Sequence, residues 1–285
     1  MVKNWLVVCL MLVCSSVYPQ NFHIGIFGGA SAYQGDLTEG ILPKKTTNGV
    51  IGLTVNYELM DNLVLRGGIN YTILSGADRY SNNDSLRARN LSFETKLVEG
   101  NVLAEFYFMN LNYQKFSPYL FAGLAVFHFN PYAYSASGQQ VYLKPLSTEG
   151  QGLSQYPDRK PYKLTQLAIP FGGGVKYAFS EKWRLGLEFG LRKLFTDYLD
   201  DVSTSYADAN DLLAAKGQLA VDMAYRGDEL PNGNPAYPAK AAQRGGANFK
   251  DWYYFLGLHL TYRLGSGGLN FMKGEKGYGC PSVPL

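Results

Sequence analysis

Trp183-Arg184-Leu185-Gly186-Leu187-Glu188-Phe189-Gly190-Leu191-Arg192 is the stretch that decides the fold. One parity holds Trp, Leu, Leu, Phe and Leu; the other holds Arg, Gly, Glu, Gly and Arg. Successive side chains of a strand point to opposite faces, so this segment has one wholly apolar face and one polar face. A soluble sandwich also alternates, but its polar face looks to water and favours Lys, Thr and Glu. Glycine with sparse long charges suits a narrow lumen instead, while the apolar face meets lipid.

Segments on either side repeat the pattern. Leu63, Leu65, Ile69, Tyr71 and Ile73 oppose Arg66, Gly68, Asn70 and Thr72. Near the end, Trp252, Tyr254, Leu256, Leu258, Leu260, Tyr262 and Leu264 oppose Tyr253, Gly257, His259, Thr261 and Arg263. Eight strands are predicted in all: Asn21–Ala32, Asn48–Leu59, Asn62–Leu74, Lys96–Met109, Phe116–Phe129, Gln166–Ser180, Lys182–Thr196 and Asp251–Leu264. Met60-Asp61 and Ser180-Glu181 are bare turns, and Asn110–Lys115 is a slightly longer one. The connections at Tyr33–Thr47, Ser75–Thr95, Asn130–Thr165 and Asp197–Lys250 are far longer. An even number of strands, with tight turns at one end and long loops at the other, is the outer-membrane pattern. The predicted class is all-β: an eight-stranded antiparallel transmembrane β-barrel with long extracellular loops and both termini periplasmic. Trp183 and Trp252 begin strands and Tyr262 lies near a strand end, as interfacial girdles require. Pro170 removes a ladder donor inside the sixth strand, so a bulge or local break is expected there.

Composition agrees with this class. Charged residues make up 17%, below the usual quarter, beside 22 Tyr, 16 Phe and 32 Gly. A net charge of +3 is too small to argue for nucleic acid as a partner. Residues 1–20 read as a signal peptide, with Lys3 in the positive region and Trp5–Val13 as an apolar core too short to span a bilayer. Cleavage is expected after Gln20 or after Ser16. Cys9 and Cys14 leave with this segment, and each follows Val where a lipoprotein signal needs a small residue. The mature chain then divides into a barrel at 21–265 and a periplasmic tail at 266–285. Cys280, alone on that tail, forms an intermolecular disulfide or stays a free thiol.

The polar faces bring Arg66, Glu99 or Glu105, Lys176, Arg184, Glu188, Arg192 and Arg263 together inside the barrel. Eight strands leave an interior that side chains fill, and buried charges of both signs must pair. The expectation is a lumen plugged by ion pairs. In the last loop, Asp208–Tyr225 is expected to be a short helix over one mouth, and Asn232–Pro238 irregular. Asp197, Asp200, Asp201 and Asp208 offer oxygen ligands that suit Ca²⁺, or equally turn formation and helix capping. Pairing of Asp197 or Asp200 with Arg192 is the expected use. His23, His128 and His259 are each assigned to the lumen face of their strands. There is no Gly-x-Ser-x-Gly elbow, no metal-ligand spacing of Cys and His and no phosphate loop. No enzymatic activity, cofactor or resident metal is expected.

Two patterns go beyond generic barrel features. One is Tyr33-Gln34-Gly35-Asp36-Leu37, directly after the first strand. The other is Arg192-Lys193-Leu194-Phe195-Thr196-Asp197-Tyr198-Leu199-Asp200-Asp201-Val202-Ser203, at the exit of the seventh. With eight strands from Asn21 to Leu264, the chain resembles the PorG-like outer-membrane barrels associated with the type IX protein secretion system. That resemblance implies a non-enzymatic component in outer-membrane lipid that contacts a periplasmic ring of the secretion machine, with the loop motif Asp197, Tyr198, Asp200 and Asp201 as a family feature. A covalent link from Cys280 to a ring subunit fits the same reading. A general surface barrel whose loops bind ligand or matrix, and a small passive channel, are the alternatives.

Overall fold

In the computed structural model, the described residues are 21–38, 43, 45–246 and 250–265. The signal segment, the tail and Cys280 therefore lie outside them. Eight long strands form the wall: β1 (Phe22–Gln34), β2 (Asn48–Met60), β3 (Leu63–Ala77), β4 (Ser92–Tyr107), β5 (Phe116–His128), β8 (Thr165–Ala178), β9 (Trp183–Leu194) and β10 (Trp252–Arg263). Each pairs antiparallel with its neighbour, and β1 pairs with β10 from His23↔Arg263 to Gln34↔Trp252, which closes the cylinder. Closure leaves the wall without a free edge, so every ladder group there has a neighbour to bond.

Period-two alternation then sorts the side chains. Ile26, Leu53, Ile69, Val102, Leu124, Leu167, Leu187 and Leu258, one from each wall strand, are all half or more exposed. This outward apolar belt would cost a soluble protein heavily and is what a bilayer solvates. Inward positions alternate glycine with large polar groups, as expected. At Gly190 a Cβ would press on Arg192 Nη1 and the Phe121 ring, so the missing side chain is what admits the guanidinium.

Four details differ from the sequence reading, and one expected irregularity is found. The third long connection carries an extra hairpin, β6 (Pro131–Tyr134) with β7 (Gln140–Tyr142), whose first strand continues the ladder of β4. The second contains a short helix, α1 (Asp84–Arg89), begun by the Asn83 side chain accepting from Ser85 N–H. The helix expected over Asp208–Tyr225 is two, α2 (Ala209–Lys216) and α3 (Gln218–Ala224), divided at Gly217 with φ +83°. The local break expected at Pro170 is present: the β5–β8 pairing skips Gly123 and Leu124 opposite Ile169 and Pro170, then resumes in unchanged register without a bulge. Tyr254, on the outward parity, is nonetheless buried, and its ring lies 6.0 Å from Phe189.

A continuous hydrophobic cluster joins the wall to the long loops. It runs from Phe27, Phe127 and Tyr253 in the upper lumen to Leu199, Val202 and Met223 in the last loop. Rings stack along it, Phe129 on Tyr162 and Tyr162 on Tyr198, the latter 5.0 Å apart and nearly parallel. The loops thus form a packed cap over one mouth.

Candidate functional site

Two polar sites stand one above the other. In the lumen, Arg66 on β3 reaches across to β9, its guanidinium bidentate on Glu188 at 2.6 and 3.0 Å. The same Nη1 lies 2.9 Å from Glu105 on β4 and 3.2 Å from His259 Nδ1 on β10. Lys176 Nζ approaches Glu105 at 3.2 Å and donates to the Tyr107 hydroxyl at 2.5 Å. Glu105, Glu188 and His259 are close enough to suggest a metal site. Arg66 stands among them and supplies the positive charge, so the arrangement is an ion-pair centre.

Above it, Arg192 pairs with Glu99 at 3.1 Å, and Glu99 also accepts from Tyr253, Asn70 and Asn101. Arg192 therefore does not pair with Asp197 or Asp200, contrary to expectation: it is an inward wall residue opposite Glu99, while the acids belong to the cap. At the short-turn mouth, Glu58 receives Arg184 at 2.7 Å and Arg263 at 2.6 Å, with His23 at 3.6 Å. Glu58 was missed in the sequence because it precedes a register shift at the end of β2, where alternation fails. All seven predicted network residues face the lumen. Five cations (Arg66, Lys176, Arg184, Arg192, Arg263) meet four carboxylates (Glu58, Glu99, Glu105, Glu188) among the described residues. The void beside Arg66, Asn70, Asn101, Glu188 and Arg192 is about 10 Å³, about the room of one water. His23 and His259 are inside, but His128 is exposed on the outer parity beside Thr165, 3.0 Å away, which corrects its assignment. Its parity follows from Leu120, Leu124 and Val126 facing out.

The second site lies where the loops root, and there the two quoted motifs meet. Tyr33 Oη lies 2.6 Å from Asp200 Oδ2 and 3.0 Å from Asp251 Oδ1. Gly35 passes so close that a Cβ would strike the Tyr33 hydroxyl and Asp251 Oδ1. Asp36 accepts the Gly246 N–H on both oxygens at 3.0 Å. Asp201 accepts from Thr148 at 2.5 Å and Tyr162 at 2.7 Å, and Asp197 accepts from Ser203 at 2.7 Å. Tyr198 donates to Glu149, which also accepts Ser203 N–H, Thr204 N–H and Arg244. Asp208 stands apart as the cap of α2, accepting from Asn210 N–H at 2.9 Å. These acids thus serve turns and caps rather than converging on a cation. Asp251, Glu149 and Arg244 carried no signal in the sequence: Asp251 opens the last predicted strand, the other two lie in long loops, and each acquires its partner only on folding.

Burial is what tunes this cluster. Desolvation pushes Asp197 and Asp201 up to about 6, despite the Ser203 bond on one and Arg244 beside the other. Asp200 is raised well above the ordinary carboxyl range by burial and then by the Asp251 charge; Asp251 is raised likewise, by burial first.

Neisserial surface protein A (NspA) is 11% identical to the chain, with a TM-score of 0.41, over 85% of this chain and 97% of that one. Ail, the attachment invasion locus protein of Yersinia pestis, solved with the heparin analogue sucrose octasulfate, is 10% identical at a TM-score of 0.40, covering 85% and 96%. The outer membrane protein OprG from Pseudomonas aeruginosa is 11% identical at 0.38, covering 86% and 97%. No curated protein matches the chain. Residues 2–225 match the family described as "Domain of unknown function (DUF6089)", and the chain, a closed eight-stranded barrel with a buried carboxyl cluster at its loop roots, belongs to that family.

Proposed function

We propose that the protein is a closed, non-enzymatic barrel of a Gram-negative outer membrane that anchors a periplasmic ring of the type IX secretion machinery. The observation that supports closure is ion pairing across the lumen, Arg66 to Glu188 and Arg192 to Glu99, in a space with little room beyond one water. A barrel filled this way works through its ends and its outer surface rather than through a pore. Anchoring rests on the resemblance carried by Tyr33–Leu37 and Arg192–Ser203. In that reading the short turns face the periplasm, and the segment 266–285 leaves β10 on the ring's side of the membrane.

The test is to leave native disulfides unreduced, or cross-link intact cells, and identify by mass spectrometry what travels with the Cys280 tail. Recovery of periplasmic ring subunits is the expected result; a free thiol with no partner removes the anchor. The folded loop cap favours a second reading, a surface barrel whose loops bind ligand or matrix. Loop deletion that abolishes binding and spares secretion would select it. Steady conductance in planar bilayers would overturn the closed lumen and revive the passive channel.

A further inference from the structure

The Tyr33 hydroxyl has one proton and two carboxyl neighbours. Its 2.6 Å contact with Asp200 Oδ2 takes that proton, so the 3.0 Å contact with Asp251 Oδ1 needs another, supplied from the acid. The outer oxygens are already committed. Asp200 Oδ1 accepts Val202 N–H and Asp251 Oδ2 accepts Leu199 N–H, each at 2.9 Å. With the Tyr33 proton assigned to the shorter contact, the second proton sits on Asp251 Oδ1. Both acids are at most 1% exposed, and the direct 3.0 Å contact leaves no place for a water between Tyr33 and Asp251.

We propose that one proton, held in the chain Asp251 Oδ1–H to Tyr33 Oη–H to Asp200 Oδ2, latches the loop cap to the barrel, and that its loss as pH rises releases the 197–251 loop. The latch joins three segments: the end of β1, the exit of β9 and the entry of β10. The charged groups around it do not replace the proton. Asp36, beyond β1, and Asp197, after β9, add negative charge. The cations that act on the neighbouring acids have other partners: Arg89 on α1 is bound to Asp78, Arg244 in the last loop to Glu149, and Lys250 acts on Asp197. Removing the proton sets the lone pairs of Asp251 Oδ1 against those of Tyr33 and adds a second buried charge, which the cap relieves by opening.

Hydrogen exchange of the full-length protein in lipid vesicles tests this, read at the segment containing Leu199 and Val202. The range is chosen above about pH 7, where Asp197 and Asp201, pushed to about 6, are already ionised. Corrected for intrinsic chemistry, opening of the wild type rises about tenfold per pH unit once the pair titrates. Asp251→Asn keeps a donor toward Tyr33 and an acceptor toward Leu199, so its cap stays closed across the range. Infrared spectroscopy of the wild type alone gives a second readout: a protonated carboxyl band that disappears as the loop opens. Exchange independent of pH, Asp251→Asn responding like the wild type, or no protonated carboxyl in the closed state overturns the latch.

Discussion

The lumen glutamates and the aspartates at the loop roots are buried in opposite ways. In the lumen each acid has a guanidinium or ammonium partner within 3.2 Å, and cations outnumber acids. In the cap, Asp197, Asp200, Asp201 and Asp251 are held mainly by hydroxyls and backbone N–H groups. Paired charge makes the lumen a permanent strut between opposite walls. Neutral donors leave the cap with acids whose proton is part of the structure. The difference teaches that burial alone does not decide what a carboxylate does; the charge of its donors does.

The comparison can be broken most severely at Arg66. Arg66→Ala leaves Glu188 in the lumen without its cation and Glu105 with Lys176 alone, and should cost about 3–5 kcal/mol. The measurement is the urea midpoint of the folded, fast-migrating band in semi-native electrophoresis; an unchanged midpoint would mean that water reaches the pair. Arg192→Leu should cost less, about 1–3 kcal/mol in the same assay, because Glu99 retains Tyr253, Asn70 and Asn101 as donors. Gly35→Ala should act on the cap alone, at about 1–3 kcal/mol, by pushing Tyr33 and Asp251 apart. Loop amides should then exchange faster while the urea midpoint of the barrel holds.

The last contrast is the acid-side pH response. Asp197 and Asp201 have folded values raised from 3.8 to about 6, so the folded cap binds more protons than the open one. Their contribution is fully present below about pH 4 and is lost as pH rises through about 6. Cap protection in hydrogen exchange should fall across that window, while the urea midpoint set by the lumen pairs stays level. A lumen that softened in step with the cap would erase the distinction.

Much of this was legible beforehand, for a reason particular residues show. Arg184, Glu188 and Arg192 sit at period two among Leu185, Leu187 and Leu191, and a barrel strand cannot turn them anywhere but inward. His128 was assigned inward for its polarity, against the parity that Leu120, Leu124 and Val126 set along β5. Glu58 was missed at a register shift, where alternation fails. In the cap, Tyr33 and Asp200 stood out as motif members, but nothing in the chain linked them to each other or to Asp251.

What the sequence by itself determines is the barrel: strand number, closure, which side chains face lipid and which face the lumen. Those follow from local geometry, because side-chain direction repeats every two residues and short turns force antiparallel neighbours. Tertiary structure alone decides which lumen acid meets which cation, and that Tyr33, Asp200 and Asp251 converge from positions far apart in the chain. Long loops have no period to read, and their contacts are chosen by packing against a wall that must already exist.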